Sequence, residues 1–415
     1  MRIWILNHYA CLRHGTGLSS HAVLAHYLRR AGHEPVVFAA TFAQVHAPAE
    51  HVPAGEPFLD RLDDGVRFRF VPARPYRGAV GRLLNMHSYA RNVLRATDRL
   101  RRPDVVIGSL AHPPAVEAAR RLARRYGARF VYEIRDIWPQ SLVDLGNLPP
   151  WHPICWQFGR MERRAFRRAD GVMSVLPGIG DYAAGHGVPA ERVAYIPNGI
   201  DPALFPEPPG PPATGPFVIS CFGRFGSGND METIVAAAEN LHRRPEAQRI
   251  RIRLFGDGPS KAGLVRRAAE TGLRNLEFGE LVDKPELVRL SRESHAFVHA
   301  HRRMRVVEQY GMSVNKVFGF MAAARPVIFA CRSSYDPIRR ARAGLTVRPE
   351  DPAALARAMI RLGRTSRSER EAMGARARQY VLEHHDLSKI AGRLESFLAG
   401  LLARQPVARA HRRAA

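Results

Sequence analysis

The feature that most limits the fold is a pair of short runs that are apolar throughout, VVIGS (105–109) and RFVYEI (129–134), each followed by a longer helical pattern. A strand with one wet face alternates apolar and polar residues. A run that is apolar on both faces must be covered on both, as in a parallel strand lying between helix layers. Around these runs the candidate strands of the first half are Ile3–Leu6, Pro35–Ala39, Val66–Val71, Val105–Gly108, Arg129–Ile134, Gly171–Val175 and Val193–Pro197. Strands alternating with helices in this way predict a doubly wound α/β sheet.

The alternation stops at Pro206 in PEPPGPPATGP, where Pro and Gly resist both helix and strand, and 206–216 is expected to be a linker. It then restarts with strands Phe217–Phe222, Ile250–Phe255, Leu276–Phe278, Ala296–Ala300, Pro326–Ala330 and Gly344–Val347. Helices are expected at Met231–His242, Ser260–Thr271, Lys284–Glu293, Lys316–Ala324 and Pro352–Leu362. A chain of 415 residues exceeds one ordinary core, so the expected organisation is an N-terminal domain, 1–205, and a second of the same class, 217–382. A helix over 383–403 and a basic tail, 404–415, expected to be disordered, complete it. Ligands of such sheets bind beyond the carboxyl ends of the strands, so two facing domains put that crevice between them.

The composition, 46% hydrophobic and 24% charged, is that of a soluble globular protein. No apolar run reaches the length of a membrane span, and MRIWILNHYA enters a strand without a signal-peptide pattern, so a cytoplasmic protein is expected. Cys11, Cys155, Cys221 and Cys331 have no metal-ligand spacing and read as reduced small hydrophobes; no carboxylate pair or Cys/His cluster suits a metal. Asp63 and Asp64 read as a solvated turn. The net charge of +25 comes almost wholly from arginine and makes attraction to anionic lipid headgroups or diphosphates plausible. A nucleic-acid partner is not expected, since no reader motif accompanies the charge.

Chemistry-bearing residues collect where strands are expected to end. The first strand leads to Gly15, Gly17 and Ser19 or Ser20, a tight turn into a helix that can seat an anion. The GxGxxG spacing and an acidic residue ending the second strand are missing, which argues against a nicotinamide cofactor. RFVYEI delivers Arg135 and Asp136 at its end, either as site residues or simply paired with neighbours. FVISCF delivers Gly223 and Arg224, a guanidinium placed for forked hydrogen bonds to a diphosphate. FGDGP supplies Gly256 and Gly258, which allow a ring to approach the backbone. The stretch YGMSVNKVFGFMAAARPVIFAC (310–331) places Ser313 and Asn315 before a helix that opens on Lys316, a charge added to a positive helix end. Two segments combine apolar and Arg residues in the manner of interfacial helices, Gly78–Arg102 and Trp151–Arg168. Ordinary surface helices with a core face have the same make-up.

Taken together, RDIWPQS, ERRAFRRADGVMSV, YIPNGIDPALF, FGDGP, SVNKVFGFMAAARPVI and AGLTVRPEDPAALA resemble the retaining glycosyltransferases of family 4 (group 1), over nearly the whole chain. The branch they resemble most adds sugars in bacterial surface-polysaccharide synthesis. The resemblance implies the GT-B fold, with two Rossmann-like domains facing a central crevice and a C-terminal helix, around Leu387–Leu402, crossing back to the first domain. It implies a nucleotide-diphosphate sugar as donor substrate, held by the second domain without metal or cofactor. A lipid-linked or saccharide acceptor is held by the first, at the inner face of the cytoplasmic membrane. It assigns Arg224 and Lys316 to the departing diphosphate, and Gly15, Gly17, Gly223, Gly256, Gly258, Ser313, Asn315 and Gly319 to the donor site. Arg135 and Asp136 fall at the reacting centre. Two glutamates usual in the family would fall at Gly311 and Gly319, so both carboxylates are missing, and Glu308 is the nearest substitute. Asn229 stands where a lysine is usual, and Arg135 where many members place a histidine. The missing glutamates motivate a second reading, a non-catalytic relative that scaffolds a polysaccharide assembly.

Overall fold

The computed structural model describes all residues except 14–19, 44–49, 54, 206–213, 227, 283 and 406–415. The chain divides into two compact units, Met1–Pro197 with the segment from Leu387 onward, and Asn198–Asp386.

The first unit holds β1 (Arg2–Leu6), α1 (Ser20–Arg30), β2 (Glu34–Ala40), β3 (Leu59–Asp63), β4 (Val66–Val71), α2 (Gly78–Val93), β5 (Val105–Ser109) and α3 (Pro113–Tyr126). It continues with β6 (Arg129–Ile134), α4 (Gln140–Asp144), α5 (Pro153–Arg168), β7 (Gly171–Ser174), α6 (Ile179–Ala184) and β8 (Val193–Tyr195). Strand order is β3-β4-β2-β1-β5-β6-β7-β8, parallel except for the β3/β4 pair. Side chains alternate between two helix layers. Ile3 and Ile5 point to the core shared with α1 and the C-terminal helix, while Trp4 meets Phe38 and Tyr126, and Tyr132 meets Phe166 of α5. The seat of the C-terminal helix is written into β7: a Cβ at Gly171 would come within 2.4 Å of Leu401 and 2.9 Å of Phe397.

The second unit holds β9 (Phe217–Phe222), α7 (Met231–His242), β10 (Ile250–Phe255), α8 (Lys261–Glu270), β11 (Leu276–Gly279), α9 (Lys284–Arg292), β12 (Ala296–Ala300) and α10 (Arg305–Tyr310). Then follow α11 (Asn315–Ala322), β13 (Val327–Ala330), α12 (Pro337–Ala341), β14 (Gly344–Val347), α13 (Pro352–Arg364) and α14 (Arg367–His384), and α15 (Leu387–Ala403) is the C-terminal helix of the first unit. Strand order β11-β10-β9-β12-β13-β14 is parallel throughout. It is the doubly wound order whose direction reverses between the first and fourth strands, here β9 and β12. In the first unit the same reversal lies between β1 and β5.

Helix starts follow local chemistry. Asp230 caps α7 through Thr233 N at 3.1 Å, Asp351 caps α13 before Pro352, and Ser366 caps α14 with Glu369 at the third position. The change of unit at Pro197/Asn198 lies ahead of the Pro/Gly-rich segment expected to divide the domains. Asn198 and Phe205 are held in the second unit, by Ser313 and Arg378 respectively. Asp63 and Asp64 sit in a hairpin rather than a solvated turn: Asp64 and Gly65 take positive φ between β3 and β4, and Arg13 reaches both carboxylates. The segment 78–102 is helical only to Val93.

Candidate active site

In the second unit the polypeptide leaves β9 through Gly223 and Arg224, leaves β10 through Gly256, Asp257 and Gly258, and leaves β12 through His301. These exits surround the reversal point of the sheet, where a doubly wound fold opens a ligand crevice. The first two loops interlock. Gly223 N–H donates to Phe255 O at 2.9 Å and Phe225 N–H to Asp257 O at 2.9 Å. Gly256 and Gly258 have φ of +146° and +152°, and a Cβ on either would lie 1.8 Å from Gly223 O or 2.3 Å from Phe225 O. The glycines expected to let a ring approach are thus required first by the neighbouring loop. Asn229, which replaces a lysine usual in the family, donates to Arg224 O at 2.8 Å and ties that loop shut.

Lys316 is the second residue of α11, which starts after Val314 with no side-chain cap. The stem of Lys316 is half-buried, but Nζ reaches no solvent and has no hydrogen-bond partner among the described residues. It lies directly over Gly223, where a Cβ would be 2.4 Å from Nζ. The groups around it are neutral. Burial pushes the Cys221 thiol up to about 11, keeping it protonated. Burial lowers His299 well below the ordinary imidazole value, with the Lys316 charge adding to the effect, and lowers His301 in the same direction. Neither ring nitrogen of His299 has a partner among the described residues. Burial lowers Lys316 itself, and only the weak opposing influence of Cys221 raises it.

The rest of the stretch is structural in part. Ser313 accepts from the backbone N–H of Asn198 at 3.1 Å and its carbonyl from Asn198 Nδ2 at 2.8 Å. Asn198 O in turn meets His385, whose other nitrogen meets Tyr335 at 3.1 Å. Asn315 opens α11 beside Lys316. Gly311 ends α10 at φ +80°, a conformation a glutamate would adopt only under strain. Gly319 looks toward Phe205, 3.6 Å from where a Cβ would stand. Glu308 is clamped by Arg303 at 2.7 Å and Arg332 at 3.8 Å, and the Arg303 hydrogen bond holds its carboxyl below the usual range.

In the first unit, Arg135 pairs with Glu133 at 3.0 Å. Asp136 caps the turn into α4, accepting from Ile137 N–H at 2.9 Å and from Ser141, while burial raises its carboxyl. Gly15 and Gly17 lie outside the described residues. What the sequence reading missed is the network behind Arg135. Buried Glu133 meets His21 Nε2 at 2.7 Å, His21 Nδ1 meets Asn7 at 3.0 Å, and Asn7 donates to Ser109 at 3.2 Å. Burial alone would push Glu133 up; the His21 charge and hydrogen bond, then Arg135 and Ser109, bring it down to about 2. A lone carboxylate in the apolar strand RFVYEI was the available signal, since such a group demands a partner. His8 and His112 form a second buried pair, 3.0 Å apart, at the same reversal point.

Against known proteins, residues 17–199 match the Glycosyl transferase 4-like domain and residues 216–364 match Glycosyl transferases group 1. A putative colanic acid biosynthesis glycosyl transferase, WcaI of Escherichia coli strain K12, is 26% identical over 50% of this chain; the match spans only 53% of that protein. Glycogen synthase of Mycobacterium tuberculosis is 26% identical over 87% of this chain and 86% of its own. Sucrose-phosphate synthase from Thermosynechococcus elongatus superposes with a TM-score of 0.70 at 16% identity, covering 97% of this chain and 99% of that one. Anabaena Alr3699/HepE, solved in complex with UDP and glucose, superposes at 0.63 with 15% identity, over 96% of this chain and 99% of that one. The two doubly wound units, the motifs and both domain matches agree: the chain has the GT-B fold and belongs to the group 1 glycosyltransferase family.

Proposed function

We propose that the protein transfers a sugar, with retention and without a metal, from a nucleotide-diphosphate sugar to a lipid-linked or saccharide acceptor in surface-polysaccharide synthesis, at the cytoplasmic face of the membrane. The observation that carries this reading is the buried Nζ of Lys316, which has no hydrogen-bond partner among the described residues. A cation taken out of water with only neutral neighbours is costly, and an anion arriving from outside removes the cost. The bare start of α11 and Arg224 on the facing loop add two further attractions for phosphate oxygens. The acceptor hydroxyl attacks the anomeric carbon on the face from which the diphosphate departs. The bond to the acceptor oxygen forms as that to the diphosphate breaks, and a diphosphate oxygen takes the hydroxyl proton. Lys316 and Arg224 hold the charge that grows on the leaving group, so the protein's work is positioning and charge stabilisation. That HepE is described with UDP and glucose supports a nucleotide-sugar donor.

The absence of carboxylates at Gly311 and Gly319 favours one rival, a scaffold that has kept the fold without turnover. Purified protein is assayed with a panel of nucleotide sugars and polyprenyl-diphosphate-sugar acceptors, beside Lys316→Ala and Arg224→Ala. The expectation is turnover by the native chain and a loss of at least ~100-fold in each variant. No turnover with any donor leaves the scaffold, and near-native rates in both variants remove the diphosphate assignment.

A further inference from the structure

Four large apolar side chains of the first unit lie bare on helices of a single layer. Val80 (75% exposed) and Leu84 (45%) are on α2; Trp156 (64%) is on α5, and Trp151 (83%) just precedes it. α3 packs against α2 on one side and α5 on the other, so all three form one layer over the sheet. At ordinary helix spacings the two apolar sites stand about 20 Å apart. They share one end of that layer. α2 follows β4 directly, so its first turns lie at the carboxyl edge of the sheet, where Val80 and Leu84 are. α5 ends just before β7 begins, so its start, with Trp151 and Trp156, points back to the same edge.

The exposed charge around these side chains on α2 and α5 is basic, while Asp144 of α4 and Asp181 of α6 are acids on neighbouring elements. No acidic residue lies between Gly65 and Thr97, while Arg74, Arg77 and Arg82 are exposed there. Arg160, Arg163 and Arg164 are exposed on α5, and Arg160 lies over the Trp156 ring at 4.7 Å. The acids of this layer are already committed. Glu162 is buried and accepts from Tyr182 at 2.6 Å, and Glu117 is held by Arg120 and Arg121. Bare aliphatic and Trp side chains rimmed by arginine match the boundary between acyl chains and anionic headgroups. A nucleic acid would use the arginines but has no use for Val80 and Leu84.

We propose that this end of the α2/α3/α5 layer is a docking surface for an anionic lipid bilayer, with Trp151, Trp156, Val80 and Leu84 entering the headgroup region. No helix among the described residues is long and apolar enough to cross a membrane, so such contact is interfacial. The surface adjoins the carboxyl edge of the unit expected to hold the acceptor, so the proposal rests on the lipid-linked-acceptor reading for its purpose, though not for its test.

The full chain is sedimented with vesicles of phosphatidylcholine doped with phosphatidylglycerol, and with phosphatidylcholine alone, with and without competing duplex DNA. Expected are binding to the doped vesicles only, weakening with salt, and persistence against DNA. Trp151→Ser with Trp156→Ser should weaken it at least ~10-fold, and Val80→Ser with Leu84→Ser several-fold. Leu62→Ser, on an equally exposed side chain of β3, serves as control and should change nothing. Native protein left in the supernatant, displacement by DNA, or a fourfold variant that binds normally would overturn the proposal. UDP and GDP binding is measured on the same samples. Vesicle binding without nucleotide binding would sink the transfer reading and leave this one, and the converse result would do the opposite.

Discussion

Each unit carries a buried charge close to the reversal point of its sheet, Glu133 on β6 beside β5 and Lys316 over the end of β9, and the two charges are treated in opposite ways. Glu133 of the first unit is enclosed by His21, Arg135 and Ser109, and its charge is fully answered from within the chain. Lys316 of the second unit is as deeply enclosed at Nζ, yet faces a glycine, a thiol and neutral imidazoles. A paired buried charge fixes structure, and its removal leaves the partners uncompensated. An unpaired one raises the energy of the empty protein and lowers that of the occupied one. The contrast separates scaffold from binding site more sharply than burial or residue type does.

The largest expected effect comes from the paired side. Glu133→Ala should cost about 3–5 kcal/mol in urea unfolding, because buried His21 loses its carboxylate and Arg135 loses an ion pair. A loss under about 1 kcal/mol would mean the pair is not structural and would dissolve the comparison. The unpaired side should respond in the other sense: Lys316→Met leaves the empty protein as stable as the native chain or more so, while nucleotide turnover drops at least ~100-fold. A large loss of stability in that variant would show that the ammonium already has a partner inside the fold.

The two sites should also titrate differently. The Glu133 carboxyl is lowered to about 2 from 4.5, so its contribution is full above the unfolded value and fades as pH falls from about 4.5 toward 2. Acid unfolding of the native chain and of Glu133→Gln should therefore converge in that window. Lys316 is lowered by burial, and an adjacent diphosphate raises it again. Nucleotide affinity should be greatest below the lowered value and fall as pH rises through it, with proton uptake on binding in between. Calorimetry in buffers of different ionisation enthalpy reads that uptake, and its absence at every alkaline pH would argue against an ammonium at the diphosphate. The smallest effect belongs to the support of the Lys316 loop. Asn198→Ala removes the Nδ2 hydrogen bond to the Ser313 carbonyl while the backbone N–H bond to the Ser313 hydroxyl stays, and should cost about 1–3 kcal/mol of stability in urea unfolding, with a smaller loss of affinity than Lys316→Met.

Much of this was legible in the sequence, for local reasons. Strands apolar on both faces, the loops at their ends, and Lys316 at a helix start are all properties of neighbouring residues. Strand β3, Leu59–Asp63, was not legible: LDRLD lies at a sheet edge, pairs only with β4 and carries charges that edge position allows. The burial of Lys316 was equally out of reach, since it depends on Gly223, far back in the chain, folding over Nζ. Glu133 was visible as a misfit in its strand, but His21 could be named its partner only once β6 and α1 were brought together. Gly256 and Gly258 teach a related lesson, for a loop that looks shaped for a ligand is first shaped for another loop.

The central claim is that the charge of Lys316 is completed by the diphosphate of a nucleotide. Calorimetric titration of the native chain and of Lys316→Met with UDP and GDP tests it most directly. The account predicts micromolar binding of at least one nucleotide to the native chain, about 8 kcal/mol, and binding at least ~100-fold weaker to the variant. Equal affinities in the two proteins, or no binding of either nucleotide to the native chain, would contradict it.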